Sequence, residues 1–203
     1  MIPKKIHQIW IGSEPIPPFC LEYAKEIEKE YPEYEFKIWY ENDLKSLPSC
    51  KFLEATNDNK FWGYSVDWYR AIILKLHGGI YLDIDVKFLN KIPESILNNN
   101  FILPLDDAHC TSNYIIGTPK NSRFIRNLIN IYKSYDDSEF DKVKWSAPEV
   151  YKTCCEKTFG KYNIYNSQNG EFESNRDVLF IDMKENEYFK HLVSDIENYF
   201  INE

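Results

Sequence analysis

The stretch from Gly63 to Phe88, GYSVDWYRAIILKLHGGIYLDIDVKF, decides the fold. Its first part, Gly63 to His77, predicts a helix. Val66, Tyr69, Ile73 and Leu76 recur at three- and four-residue spacing, which lays them along one side. Ser65 is the expected N-cap, because its hydroxyl can accept from an orphan amide of the first turn. Gly78-Gly79 is a stop and a tight turn, since glycine reaches backbone angles that other residues avoid. Ile80 to Phe88 then alternates apolar and polar residues as a half-buried strand does, with Asp83 and Asp85 interrupting it. A helix running straight into a strand is half of a βαβ unit.

The flanking sequence extends the pattern. KIHQIWI, residues 5–11, predicts a first strand that runs into the loop GSEPIPP. Residues 19–31 predict a helix with Phe19, Tyr23, Ile27 and Tyr31 inward, ended by Pro32. Residues 34–40, YEFKIWY, predict a second strand, and residues 42–57 short helices that bury Leu44, Leu47, Phe52 and Leu53. Further strands are expected at 101–105, 114–116, 162–165 and 178–182. Helices are expected at 121–134, 146–158 and 185–198. The alternation predicts one α/β domain with a mixed, mostly parallel central sheet and an α-rich C-terminal part. Residues 1–118 form its first portion and 119–203 its second.

Composition narrows the function. The chain has 203 residues, enough for one sizeable core, and a net charge of −8. A protein that grips nucleic acid usually presents a basic face, so no nucleic-acid partner is expected. No apolar run approaches the roughly 20 residues of a transmembrane helix. The expectation is a cytoplasmic chain, with peripheral attachment at the inner face of the membrane left open. The cysteines, Cys20, Cys50, Cys110, Cys154 and Cys155, are odd in number and form no C-x-x-C. Reduced thiols are therefore expected.

Asp83-Ile84-Asp85 is the chemical focus. Acids two apart on a strand share a side, and a break after Leu82 carries both past the sheet's carboxyl edge, where open α/β sheets bind ligands. Two carboxylates there suit a hard cation, Mg²⁺ or Mn²⁺. The tripeptide alone is weak evidence, and solvated strand-end acids are the plain alternative. Context adds weight. Asp67 and Arg70, three apart, share a helix side next to the apolar stripe. The alternative for them is a surface ion pair of little energy. A phosphoryl-transfer enzyme ranks low, because no G-x-x-x-x-G-K-[ST] loop occurs and only seven glycines are present.

Taken together, IPKKIHQIWIG and SVDWYRAIILKLHGGIYLDIDV resemble the sugar-binding-region glycosyltransferases with a D-x-D motif, family 32. That family includes yeast initiating mannosyltransferases and bacterial capsule and oligosaccharide transferases, with the glucosylating clostridial toxins as distant relatives. The similarity spans roughly residues 1–118. It implies a GT-A type nucleotide-diphospho-sugar domain that moves a hexose, with retention, onto a glycan or lipid-linked glycan in bacterial polysaccharide assembly. The donor it favours is a UDP-hexose, with GDP-mannose as the alternative. By the same resemblance Asp85 would ligate the metal and Asp83 would contact metal, ribose or sugar. Asp67 and Arg70 would hold the donor sugar and diphosphate. Trp10 would stack on the base, and Ser65 and Asn42 would lie on the donor side. Asp83, Asp85 and Arg70 would carry the catalysis, helped by closure of a loop from the C-terminal third. Asp107, with its neighbour Asp106, and Asn113 are the acceptor-side candidates. Relatives also supply a C-terminal His or acid to the metal. His191 is the nearest candidate here, read as a helix-surface residue. A catalytically weak nucleotide-sugar or glycan-binding module on the same fold is the competing reading. His7 is expected to be structural, and His77 to sit at a helix end where its charge would suit the dipole.

Overall fold

The computed structural model describes residues 1–92, 101–105, 113–136, 138–159, 179–182 and 189–191. It opens with strand β1 (Lys5–Trp10), helix α1 (Pro18–Glu30) and strand β2 (Glu35–Tyr40). β1 and β2 pair in parallel, from Lys5 opposite Glu35 to Trp10 opposite Tyr40. A parallel pair needs a crossover, and α1 supplies it. Helices α2 (Glu41–Leu44), α3 (Lys51–Asp58) and α4 (Trp62–His77) follow. Strand β3 (Gly79–Leu82) then returns parallel to β1 on its other side, with Ile6 opposite Ile80. Thus β1 has β2 on one flank and β3 on the other. Such a reversal of strand order opens a crevice beyond the strands' carboxyl ends, here Trp10 and Leu82.

Beyond β3 come β4 (Val86–Phe88), β5 (Ile102–Leu105), β6 (Ile115–Thr118), helices α5 (Arg123–Lys133) and α6 (Ala147–Phe159), β7 (Leu179–Asp182) and β8 (Phe189–His191). The main sheet has the order β2-β1-β3-β6-β5-β7. It is mixed as expected: β6 runs antiparallel to both neighbours, and the other three pairings are parallel. Both sides are covered. Ile9, Tyr81, Leu103 and Ile116 pack with α4, α5 and α6. Ile6, Ile80, Leu82 and Ile115 pack with Ile27 and Tyr31 of the α1 segment. All four residues of β3 are buried for this reason. Among the described residues no helix is long and apolar enough to cross a membrane.

Several expectations change. Residues 80–88 are not one interrupted strand. The chain leaves the sheet after Leu82, and β4 pairs antiparallel with β8. That pairing places His191 opposite Val86, in a strand and not on a helix. The rest of the expected 185–198 helix, the 162–165 strand, Cys110, Asp106 and Asp107 lie outside the described residues. Helix α1 buries Cys20, Ala24 and Ile27. Ile27 and Tyr31 are inward as expected, whereas Phe19 and Tyr23 are half-buried and pack edge to face. Ser65 is not a cap. α4 begins three residues earlier, and the buried Ser65 Oγ donates within a local network to Thr56 Oγ1 at 2.9 Å and Asn57 Oδ1 at 2.8 Å. His7 is structural as expected: it is buried, with Nε2 2.9 Å from Gly78 O, and Trp39 Nε1 donates to its Nδ1 at 3.3 Å. Burial, with Lys5 and Lys120 nearby, lowers the His77 pKa, so its charge adds less at the helix end than expected.

Gly78 and Gly79 have φ of +65° and +99°. A Cβ on Gly79 would stand 2.6 Å from Lys5 O, inside the β1–β3 contact. The Gly79→Ala variant is expected to lose stability through positive-φ strain of about 1–3 kcal/mol, and more from that clash. Thermal melting should therefore fall by roughly 5–10 °C. An unchanged melting temperature would contradict this geometry.

Candidate active site

A cleft of about 680 Å³ opens at the carboxyl ends of β1 and β3. Trp10, Asp67, Arg70, Asp83, Asp85 and Asn113 all line it. The structure thus brings six of the sequence candidates to one cleft, and local backbone chemistry explains how. Asp83 N donates to Tyr114 O at 2.8 Å, and Val86 N donates back to Asp83 O at 3.2 Å. The second bond folds Asp83-Ile84-Asp85 into a tight turn. Gln8 Nε2, on β1, donates to Asp83 O at 3.3 Å and ties that turn to the neighbouring strand.

Behind the turn stands a charged network. Asp83 Oδ1 accepts from Tyr81 Oη at 2.6 Å and from Arg70 Nη2 at 3.1 Å. Arg70 Nη1 donates to Asn113 O at 2.8 Å and lies 3.3 Å from Asp67 Oδ1. Asn113 Nδ2 donates to the same Asp67 oxygen at 2.7 Å. The guanidinium also lies 4.3 Å from the Tyr81 ring centre, a cation–π distance. The Asp67 and Arg70 side chains are only 6% and 3% exposed, which excludes a surface ion pair. Asn113 is thus a brace between α4 and β6 at the cleft wall.

Burial shapes the charges. It pushes the Asp67 pKa up to about 7, with Arg70 pulling the other way. Burial works against the Arg70 charge too, but Tyr81, Asp83, Tyr151 and Asp67 more than offset it. At the far end of β1, burial lowers His7 to about 4. These two groups tilt stability in opposite directions. Asp67 keeps its proton in the folded state where the unfolded chain has released it. Its contribution is full below about pH 4 and lost as pH rises to 7. His7 stays neutral where the unfolded chain is protonated, so its contribution is full above about 6.5 and lost as pH falls towards 4. Denaturation midpoints of the native chain should change little between pH 4 and 6.5. In Asp67→Asn the His7 slope should emerge as stability rising with pH, and a profile as flat as the native one would contradict the assignment.

The aromatic wall holds one expected and two unexpected residues. Trp10 Nε1 donates to Glu14 O at 2.8 Å, which fixes the indole against the loop after β1. Trp62 and Tyr64 also line the cleft. Trp62 is 38% exposed, with its ring about 3.6 Å from where a Gly12 Cβ would stand. The sequence reading named neither, although its helix from Gly63 begins only one residue after the observed start at Trp62. Asn42 does not line the main cleft. It is exposed, accepts from Lys45 Nζ, and borders an adjoining depression of about 290 Å³ that shares Trp10, Gly12 and Glu14. Ser65 lies behind the wall in its own hydrogen-bond network.

The donor set suits a divalent cation. Two carboxylates from one turn line a largely apolar cleft, and among the described residues no group of three His, Cys, Asp or Glu side chains could hold a metal by itself. Mg²⁺ and Mn²⁺ are commonly held in this way, by one or two carboxylates with the remaining positions filled by phosphate oxygens and water.

Comparison with known proteins agrees with this geometry. Residues 17–102 match the family described as glycosyltransferase sugar-binding region containing DXD motif. An uncharacterised glycosyltransferase, L373, of Acanthamoeba polyphaga mimivirus is 38% identical over 91 residues, covering 42% of this chain and 36% of that protein. Inositol phosphoceramide mannosyltransferase 3 of Schizosaccharomyces pombe is 27% identical over 131 residues, covering 63% and 36%. The chain thus spans about a third of the length of these curated relatives. The solved PaToxG glycosyltransferase superposes with a TM-score of 0.63 at 22% identity, covering 77% of this chain and 68% of that one. That likeness identifies the fold as the α/β, GT-A-like type.

Proposed function

We propose that the chain, whose residues 17–102 match the DXD-containing sugar-binding family of glycosyltransferases, transfers a hexose from a nucleotide-diphosphate donor to a hydroxyl of a glycan or lipid-linked glycan. The observation that carries the reading is the placement of Asp83 and Asp85 on one turn of the cleft, with Arg70 and Asp67 buried against them. Residues 1–118 would bind the donor, and residues 119–203 would complete the acceptor side of the same domain.

Asp85 and Asp83 would hold Mn²⁺ or Mg²⁺ with the donor's diphosphate. A cation there supplies charge neutralisation for the departing group. Asp67, with Oδ1 anchored by Asn113, would orient sugar hydroxyls from the cleft wall. Arg70 would keep Asp67 and Asp83 in place and contribute positive potential towards the diphosphate, electrostatics that need no reorganisation during reaction. Trp10 would stack on the base, and Trp62 would face it as a second apolar wall that keeps water from the donor. Asp67 and Asp83 are already engaged by Arg70 and its neighbours, which favours a front-face route with retention over attack by either carboxylate. In that route the leaving phosphate oxygen takes the acceptor proton.

One observation favours a second reading, a binding module. Both Nη atoms of Arg70 are already engaged by Asp67, Asp83 and Asn113, so the charges of the wall are largely spent within the protein. Calorimetric titration with a nucleotide sugar and Mn²⁺ separates the two. A transferase gives binding heat followed by slow heat of donor hydrolysis. Binding heat alone over several hours would replace the transferase reading with the module.

A further inference from the structure

Two tyrosines stand behind Arg70 on helices that lie outside the matched residues 17–102. Tyr132, on α5, and Tyr151, on α6, are fully buried. Both rings pack in the core shared with α4. Their hydroxyl oxygens and Arg70 Nε are all buried and have no hydrogen-bond partner among the described residues. The two hydroxyls also answer to the same pair of charges. Burial raises the pKa of each, and Arg70 and Asp67 act next on Tyr151, while Asp67, Tyr151 and Arg70 act on Tyr132. Arg70 is the foremost charge acting on Tyr151, whereas on Tyr132 it ranks behind Asp67 and Tyr151.

A buried hydroxyl with nothing to bond is costly, and phenylalanine would fill the same space without that cost. Two such hydroxyls and a guanidinium Nε, all buried and unpaired on three helices that pack in succession, are therefore a pattern that packing alone does not explain. The Nη atoms of Arg70 engage Asp67, Asp83 and Asn113, so Nε is the guanidinium nitrogen without a partner among the described residues.

We propose that Tyr151 and Tyr132 are positioning residues for the donor site, their hydroxyls forming a polar backstop in which Tyr151 Oη accepts from Arg70 Nε–H. The backstop holds the guanidinium against Asp67 and Asp83 when the donor's charge draws it forward. It makes α5 and α6, the helices furthest from recognisable sequence motifs, part of the donor site's support. The kinetic consequence rests on the donor-site reading above, whereas the contact itself does not.

The test uses the full chain with Tyr151→Phe, Tyr132→Phe and the double variant. Each removes a hydroxyl and keeps the ring. The rates to follow are Mn²⁺-dependent sugar release from UDP-glucose, UDP-galactose, UDP-N-acetylglucosamine and GDP-mannose. Tyr151→Phe should melt at the native temperature or above it, yet lose about tenfold in kcat/KM, mostly in kcat. The loss should vanish in an Arg70→Lys background, because lysine has no Nε–H to lose. Native kinetic constants in Tyr151→Phe, or an equal loss in both backgrounds, would overturn the proposal. Nitrogen-15 spectra of the arginine side chains give a readout independent of turnover. The Arg70 Nε–Hε signal should be slow to exchange with solvent in the native chain and should shift in Tyr151→Phe. An unshifted signal overturns the contact. If no donor is turned over by the native chain, the transferase reading fails and this spectrum alone decides the contact.

Discussion

Asp85→Asn is expected to lower donor turnover by at least about 10²–10³-fold while leaving the fold intact, the scale seen when one electrostatic element of a transition state is removed. Asp85 is 7% exposed and lines the cleft from the turn after β3. Asparagine keeps its shape and hydrogen-bonding capacity but removes the charge that would hold a cation. The turn itself rests on backbone bonds of Asp83 and Val86, which the substitution does not touch. Sugar release with Mn²⁺, measured beside the melting temperature, separates chemistry from folding. Native turnover in a well-folded Asp85→Asn chain would remove the cleft's acids from the mechanism.

Arg70→Met should have the largest effect on stability. It leaves Asp67 and Asp83 without their shared partner, and Asp67, which titrates at about 7 even beside Arg70, must then either stand charged and unpaired or take up a proton. Breaking a buried ion pair from one side costs about 3–5 kcal/mol, or roughly 10 °C in a domain of this size. The loss should shrink in Arg70→Met/Asp67→Asn, because the stranded charge is then gone as well. A single variant that melts within about 2 °C of the native chain would show that the network contributes little. Arg70→Lys should fall between the two. It restores the charge but not the planar fork that serves Asp67, Asp83 and Asn113 together.

The local signals account for most of the donor wall. Spacing alone put Asp67 and Arg70 on a common side beside the apolar stripe, and both are buried there. Gly78-Gly79 marked the turn that fixes α4 against β3, and both adopt positive φ. What escaped depends on contacts between distant segments. Strand β8 is three residues long and exists through pairing with β4 across about a hundred residues, so KHL read as part of a helix. Trp62 and Tyr64 were not singled out, because nothing in their local spacing shows that the start of α4 borders the cleft, and Ser65 there found side-chain partners on α3 in place of a capping role. Tyr132 and Tyr151 read as ordinary core positions. Only the packing of α5 and α6 with α4 shows that their hydroxyls are buried and unpaired, as Arg70 Nε is, among the described residues. Asn113 stands in between: its presence near the site was legible, but its bracing of Asp67 was not.

The central claim is that the turn at Asp83 and Asp85 is the metal-assisted donor site of a glycosyltransferase. The most direct test incubates the purified chain with UDP-glucose, UDP-galactose, UDP-N-acetylglucosamine and GDP-mannose in parallel, with Mn²⁺ and with excess chelator, and follows free sugar and nucleoside diphosphate. The account predicts release from at least one donor with Mn²⁺ and none with chelator. Equal release in chelator, or none from any donor with Mn²⁺, would contradict it.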